Sequence, residues 1–336
     1  MPIKIYQQQQ KGDKMRILVI GGAGYIGSHV VKSLLQNNVQ VRVFDDMSTG
    51  QSVNLFKDAE FIKGTILDSE ALENALEGVD GVVHLAAKKA VGESMENPEK
   101  YAQNNLTGAI NLLNAMTKKD VKYLVFSSSA AVYGIPQYAQ VDENHPVNPI
   151  NFYGFTKLEM ERLMQWYDTL KGIKFVSLRY FNAVGYDADG DILGLEKNPQ
   201  NLLPVIMETL IGTREKMAVF GTDYNTPDGS CIRDYIHVSD LAEAHTLALK
   251  YLQENNQSQI LNLGTGRGHS VLEMILETEK LLNKKVNYTI APRRSGDPET
   301  LTAVATKAEN LLNWYPKQSD LENIILTTWA VYQKNR

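Results

Sequence analysis

The sequence predicts an α/β fold, a doubly wound parallel sheet with a smaller C-terminal domain. Three observations lead there. Short apolar runs alternate with amphipathic helical stretches over the first half of the chain, the pattern of parallel strand–helix–strand units. A glycine-rich turn joins the first strand to the first helix. Past Asn182 the alternation loosens, and Gly185, Gly190, Gly194 and Pro199 mark loops, so a unit of different build begins there.

Bulk properties narrow the function classes. At 336 residues the chain can bury one large core or two unequal ones. A content of 43% hydrophobic and 22% charged residues is that of a soluble globular protein. The net charge of −5 provides no general attraction to nucleic acid or to an anionic membrane surface. The single cysteine, Cys231, excludes an intramolecular disulfide and a cysteine-based metal site, and no metal is expected. No apolar run reaches the ~20 residues that span a bilayer. Residues 1–14, with Gln7 to Gln10, lack the apolar core of a secretory signal and read as a disordered extension. A cytoplasmic protein is expected. The sheet domain should cover 15–181, with 234–264 returning to it, and 182–336 should mainly form a substrate-binding domain. No tandem repeat is visible.

In chain order, Arg16–Ile20 is a short apolar strand that runs into Gly21-Gly22-Ala23-Gly24-Tyr25-Ile26-Gly27, and helical periodicity follows from Ser28 to Gln36. Gly21, Gly24 and Gly27 satisfy the fingerprint of a dinucleotide-binding turn. Such a turn must be tight, and its backbone must approach a pyrophosphate seated on the helix N-terminus. A second strand, Val39–Phe44, ends in Asp45, eighteen residues after Gly27. A carboxylate there takes ribose hydroxyls and repels a 2′-phosphate, which favours NAD over NADP. Glu60–Lys63 is a third strand, and Asp68-Ser69 can cap a helix over 70–77. Gly81–Leu85 is a fourth, opening into Ala86-Ala87-Lys88-Lys89. A helix is expected over 98–118, a buried strand at Tyr123–Ser127, a helix over 153–171 and a sixth strand at Lys174–Leu178. Later helices are expected over 202–211, 240–252, 271–282 and 321–332, with a strand at Ile260–Leu263.

The chemistry concentrates in Ser127-Ser128-Ser129-Ala130-Ala131-Val132-Tyr133-Gly134 and in Tyr153-Gly154-Phe155-Thr156-Lys157. The polar end of the Tyr123 strand brings hydroxyls to the carboxyl edge of the sheet, where open α/β sheets bind ligands. Tyr153 and Lys157 stand four apart and share one helix face. A phenol with an ordinary pKa near ~10 acts as a base at neutrality only if that value falls by about 3, roughly 4 kcal/mol. A lysine ammonium one turn away favours the phenolate.

With these pieces assembled, the chain resembles the extended short-chain dehydrogenase/reductase family and, within it, the UDP-glucose 4-epimerases. The carrying segments are GGAGYIGSHV, HLAAKKAVGES, FSSSAAVYG, YGFTK, RYFNAVG, RDYIHVSDLA and APRRSGD, which together span nearly everything from Met15 onward. The resemblance implies an NAD-dependent isomerase of nucleotide-sugar and galactose metabolism. It implies Ser129, Tyr153 and Lys157 as the catalytic set, with Ser127 and Ser128 structural. Tyr153 would take the proton of the sugar 4-hydroxyl, Ser129 would bind the same oxygen, and Lys157 would bind the nicotinamide ribose. Tyr25, Ile26, Asp45, Ile66, Ala86, Lys89 and Asn104 align with cofactor contacts. Asn182, Asn201, Arg233, Arg294 and Asp297 align with UDP-sugar contacts, and Leu301 with a position that limits the size of the sugar 2-substituent. UDP-N-acetylglucosamine is thereby a candidate second substrate. Thr65 stands where many members carry an aspartate, and Ala87 replaces a frequent glycine. The resemblance also implies a homodimer, paired through the helices at 98–118 and 153–171.

Other readings compete with this one. A nucleotide-sugar 4,6-dehydratase needs an extra acid and base beside the catalytic hydroxyl, where this chain has Ala130 and Ala131. A non-catalytic NAD-binding regulatory protein would be expected to have lost the base. A net dehydrogenase would consume free NAD.

Overall fold

The computed structural model describes residues 14–138, 140–294 and 296–335. Apart from Lys14, the extension expected over 1–14 lies outside them. Seven parallel strands form the main sheet, in the spatial order Gln259–Leu263, Lys174–Tyr180, Tyr123–Ser127, Gly81–His84, Arg16–Ile20, Gln40–Asp45, Glu60–Lys63. The order reverses between Arg16–Ile20 and Gly81–His84, and a crevice opens at the carboxyl edge of such a switch point.

Both faces of the sheet are covered, which is why its strands lack polar alternation. Ile17 and Val19 point to one face, beneath helices Tyr25–Gln36 and Val238–Asn255. Leu18 and Ile20 point to the other, beneath Ser69–Ala75, Gly108–Lys118 and Phe152–Lys171. Helix Phe152–Lys171 starts at Asn151, whose side chain accepts from Gly154 N at 2.8 Å, and ends at Gly172 with φ 68°. The helix expected over 98–118 is α-helical at Pro98–Tyr101 and Gly108–Lys118, with a π-helical stretch at Ala102–Thr107 between them. Such bulges re-aim side chains at functional sites, and this one carries Asn104 and Asn105.

The first helix begins at Tyr25, three residues before the expected Ser28, because Gly27 belongs to its first turn. A larger difference lies beyond Asn182. Strands Gly268–Ser270, Ile232–His237, Thr300–Ala303 and Gln140–Val141 form a second sheet, with Asn182–Val184 also paired to Ile232–His237. Met217–Phe220 pairs with Tyr288–Ala291. Beyond Asn182 the sequence predicts helices, loops and one strand, Ile260–Leu263, which joins the main sheet; it predicts none of the second sheet's strands. Ile232–His237 belongs to this second sheet, while its Ile236 and the helix that follows, through Leu241, Ala244 and Ala248, pack into the main core. The C-terminal lobe has its own core, centred on Leu203, Ile206, Met274, Ile324 and Ile325. Among the described residues no helix is long and apolar enough to cross a membrane.

Candidate active site

The switch-point crevice widens into a cavity of about 740 Å³ between the two lobes. It is lined by Gly21, Gly24, Tyr25, Ile26, Gly27, Asp45, Ile66, Ala86, Lys89 and Asn104 on the sheet side. Ser129, Tyr153 and Lys157 stand in its middle, and Asn182, Asn201, Arg233, Asp297 and Leu301 line the far side. Arg294 is the exception. It is exposed, and its guanidinium lies 3.9 Å over the Phe220 ring, a cation–π contact that takes it away from the cavity wall.

The glycine turn is built for close approach. A Cβ on Gly27 would lie 2.0 Å from Gly21 O, and Gly21 has φ +84° with Ala86 N 2.8 Å from its would-be Cβ. Only glycine lets the helix start so near the strand end. No side chain caps this N-terminus, so its N–H groups are free for an anion. Asp45 is buried and accepts from Ala23 N at 3.0 Å and Met47 N at 2.8 Å. Burial raises its pKa, against the pull of those N–H groups. An uncapped helix end and an ordered carboxylate together fit a dinucleotide.

The three serines separate by role. Ser127 Oγ bonds His245 Nε2 at 2.9 Å, and Ser128 Oγ donates to Glu161 at 2.6 Å, so both point into the protein. Ser129 faces the cavity and accepts from Ala131 N at 3.2 Å. Lys157 Nζ donates to Ser127 O at 2.7 Å and lies 5.8 Å from the Tyr153 ring centre.

The electrostatics differ from the expected depressed phenol. Burial pushes the Tyr153 pKa up to about 12, although hydrogen bonding to Ser129 works in the opposite direction. Burial also pulls Lys157 down to about 7, against the charge of Glu161. Desolvation therefore outweighs the lysine–tyrosine attraction in the protein alone, because both groups sit where charge is poorly solvated.

Several residues that the sequence reading missed hold this site together. Asn105 is fully buried; it accepts from Lys88 N at 2.9 Å and donates to Thr156 Oγ1 at 3.0 Å. Glu161, one turn beyond Lys157, pairs with buried Arg179 at 2.5 Å and also accepts from Ser177 at 2.8 Å. Asp234 accepts from Thr265, Gly266 and Ala303 backbone N–H groups at 2.9–3.0 Å. It thereby fixes the strand on which Arg233 stands opposite Leu301. Arg233 Nη1 donates to Ile232 O at 2.8 Å, whereas Nη2 is buried without a hydrogen-bond partner, 3.4 Å from Asp297. A guanidinium nitrogen paired in charge but without a hydrogen bond, on a residue that lines the cavity, is suited to an oxyanion.

The model of the NAD dependent epimerase/dehydratase family matches residues 17–264. The chain belongs to that family. Among its relatives, a UDP-glucose 4-epimerase of Lactobacillus helveticus is 46% identical over 96% of this chain and 98% of its own length. The crystal structure of UDP-glucose 4-epimerase from Bifidobacterium longum in complex with NAD+ and UDP superposes with a TM-score of 0.90 at 35% identity. That match covers 96% of this chain and 99% of the other. The UDP-Glc/GlcNAc 4-epimerase of Campylobacter jejuni superposes at 0.84 with 38% identity, covering 95% and 99%. The family's dinucleotide is the group that the glycine turn and Asp45 are shaped for.

Proposed function

We propose that the protein interconverts UDP-glucose and UDP-galactose by transient oxidation at C4, with NAD held throughout. The carrying observation is that Ser129, Tyr153 and Lys157 share one cavity with the glycine turn on one side and Arg233 on the other. NAD, which the glycine turn, Asp45 and Lys157 would hold, would supply hydride acceptor and donor chemistry at C4. The chain's own groups do the rest. Tyr153 Oη accepts the 4-hydroxyl proton, and Ser129 holds the same oxygen. Lys157 orients the nicotinamide ribose and adds its charge beside the phenol. Arg233 anchors the diphosphate while the sugar turns to present its other face, after which Tyr153 returns the proton. A dehydratase reading is weaker, because Ala130 and Ala131 beside Ser129 supply neither acid nor base.

The decisive experiment mixes purified protein with UDP-galactose and no added cofactor. UDP-glucose should form with no net absorbance of reduced nicotinamide, and denaturation should release NAD, not NADP. Consumption of free NAD, or a released nucleotide carrying the 2′-phosphate, would sink the reading.

The N-acetylated sugars are proposed as further substrates. Leu301 lines the cavity and packs against the Ala130–Val132 cluster, and leucine leaves room that a tyrosine ring would fill. Leu301→Tyr should remove most turnover of UDP-N-acetylglucosamine and spare that of UDP-galactose. Equal activity of native protein and variant on the N-acetyl sugar would show that Leu301 is not the gate.

A homodimer is also proposed. Ile110, Phe155, Trp166 and Leu170 are exposed on helices Gly108–Lys118 and Phe152–Lys171, Leu170 at 66%. Apolar surface of this kind marks an interface. Light scattering at micromolar concentration should return twice the chain mass; a monomer would count against pairing.

A further inference from the structure

Residues 185–196 cross the crevice at the switch point and are tied to three separate cofactor-side segments. On the glycine-turn helix, Tyr25 Oη donates to Gly185 O at 2.5 Å and His29 Nε2 accepts from Asp187 N at 3.0 Å. Lys32, on the same helix, has its ammonium 2.6, 2.7 and 2.9 Å from Asp187, Asp189 and Asp191. On the segment after Asp45, Asn54 accepts from Gly194 N at 2.8 Å and donates to Ala23 O in the glycine turn at 3.3 Å. Gln51 donates to Leu195 O. After the Gly81–His84 strand, Lys89 pairs with Glu196, which lines the cavity. One end of the segment is thus fastened beside the glycine helix and the other to the loop across the crevice.

We propose that residues 185–196 are a strap that keeps the dinucleotide in its crevice, and that Lys32 is the residue that holds the strap down. The inference rests on the NAD-dependent reading above. Lys32 and Asp187 are both buried, 9% and 8% exposed, so their attraction is little screened by salt. The carboxylate oxygens of Asp187, Asp189 and Asp191 all lie within 4.8 Å of one another. The position among them that suits a cation is taken by the ammonium. Without it, three like charges repel, and the segment they belong to lifts from the helix. None of the four residues lines the cavity, so they are positioning residues that act on cofactor retention, not on the reacting atoms.

The test uses the holoprotein. Bound NAD is chased with labelled NAD, and exchange is timed in native protein, in Lys32→Met, and in the double variant Asp189→Asn/Asp191→Asn. The double variant changes exposed side chains only and leaves the core intact. Exchange should quicken at least ~10-fold in Lys32→Met, the factor that about 1.4 kcal/mol of lost strap closure produces. It should quicken by a smaller factor in the double variant, which keeps the buried Lys32–Asp187 pair and loses only exposed partners. The turnover number at saturating NAD should stay native. A folded Lys32→Met variant that exchanges at the native rate, or a double variant that exchanges faster than Lys32→Met, overturns the strap. A native protein that carries no NAD overturns the functional reading beneath it, so the two failures are distinguishable.

Discussion

Tyr153→Phe is expected to end turnover and leave NAD bound. The substitution removes one oxygen and almost no volume, so the packing of the half-buried ring survives. Among the described residues, Tyr153 alone is placed both beside Ser129 and one turn from Lys157 in the cavity, and phenylalanine cannot accept the 4-hydroxyl proton. Loss of a general base costs ~10²–10⁴ in rate. The structure adds a reason to expect the upper end. Among the described residues no neighbouring group is prepared to replace it. Lys157 points to Ser127 O, and Ser129 is an ordinary hydroxyl. The measurement is the rate of UDP-galactose conversion, with the nucleotide content of the same preparation determined in parallel. Activity within about tenfold of native protein would discard Tyr153 as the base.

The main sheet was legible in the sequence because strands buried on both faces read as unbroken apolar runs, as Arg16–Ile20 and Tyr123–Ser127 do. The second sheet was not. Its strands run from two to six residues, and each finds its partner far along the chain: Arg233 opposite Leu301, Gln140 opposite Thr302. No local periodicity records such pairings. The site followed the same division. Gly27, Asp45, Tyr153 and Lys157 carry their chemistry in spacing. Asn105 gave no signal of its own, since only the π-helical stretch turns it inward onto Lys88 and Thr156. Arg294 read as a diphosphate ligand, yet the ring that draws it, Phe220, is more than seventy positions away. The tyrosine–lysine argument weighed a neighbouring charge but not burial, which is a property of the assembled fold, and burial proved the larger effect.

Glu161→Gln should be the most destabilising single change at the site. Glu161 is buried on the same helix face as Tyr153 and Lys157. Its carboxylate takes Ser128 Oγ at 2.6 Å, Ser177 Oγ at 2.8 Å, and Arg179 through Nε at 3.0 Å and Nη2 at 2.5 Å. Arg179 in turn reaches Tyr133 Oη at 3.0 Å, which donates to Asn262 at 2.6 Å and ties in the edge strand Gln259–Leu263. Glutamine keeps the shape but not the charge, so the Arg179 guanidinium is left buried and uncompensated. Breaking such a pair costs about 3–5 kcal/mol, and the chemical-denaturation midpoint should fall accordingly. An unchanged midpoint would remove the pair from the account of stability. A second effect is separable from the first. Ser128→Ala removes one neutral-to-charged hydrogen bond and leaves the ion pair intact, at a cost of ~1.5–3 kcal/mol. Because Ser128 lies between the carbonyl that holds Lys157 and the hydroxyl of Ser129, its release should lower the turnover number while KM for UDP-galactose and NAD content stay native. If Ser128→Ala turns over at the native rate, Glu161 serves the fold alone. If the turnover number falls while binding holds, the same carboxylate that stabilises the core also sets the position of Ser129, the proposed catalytic hydroxyl.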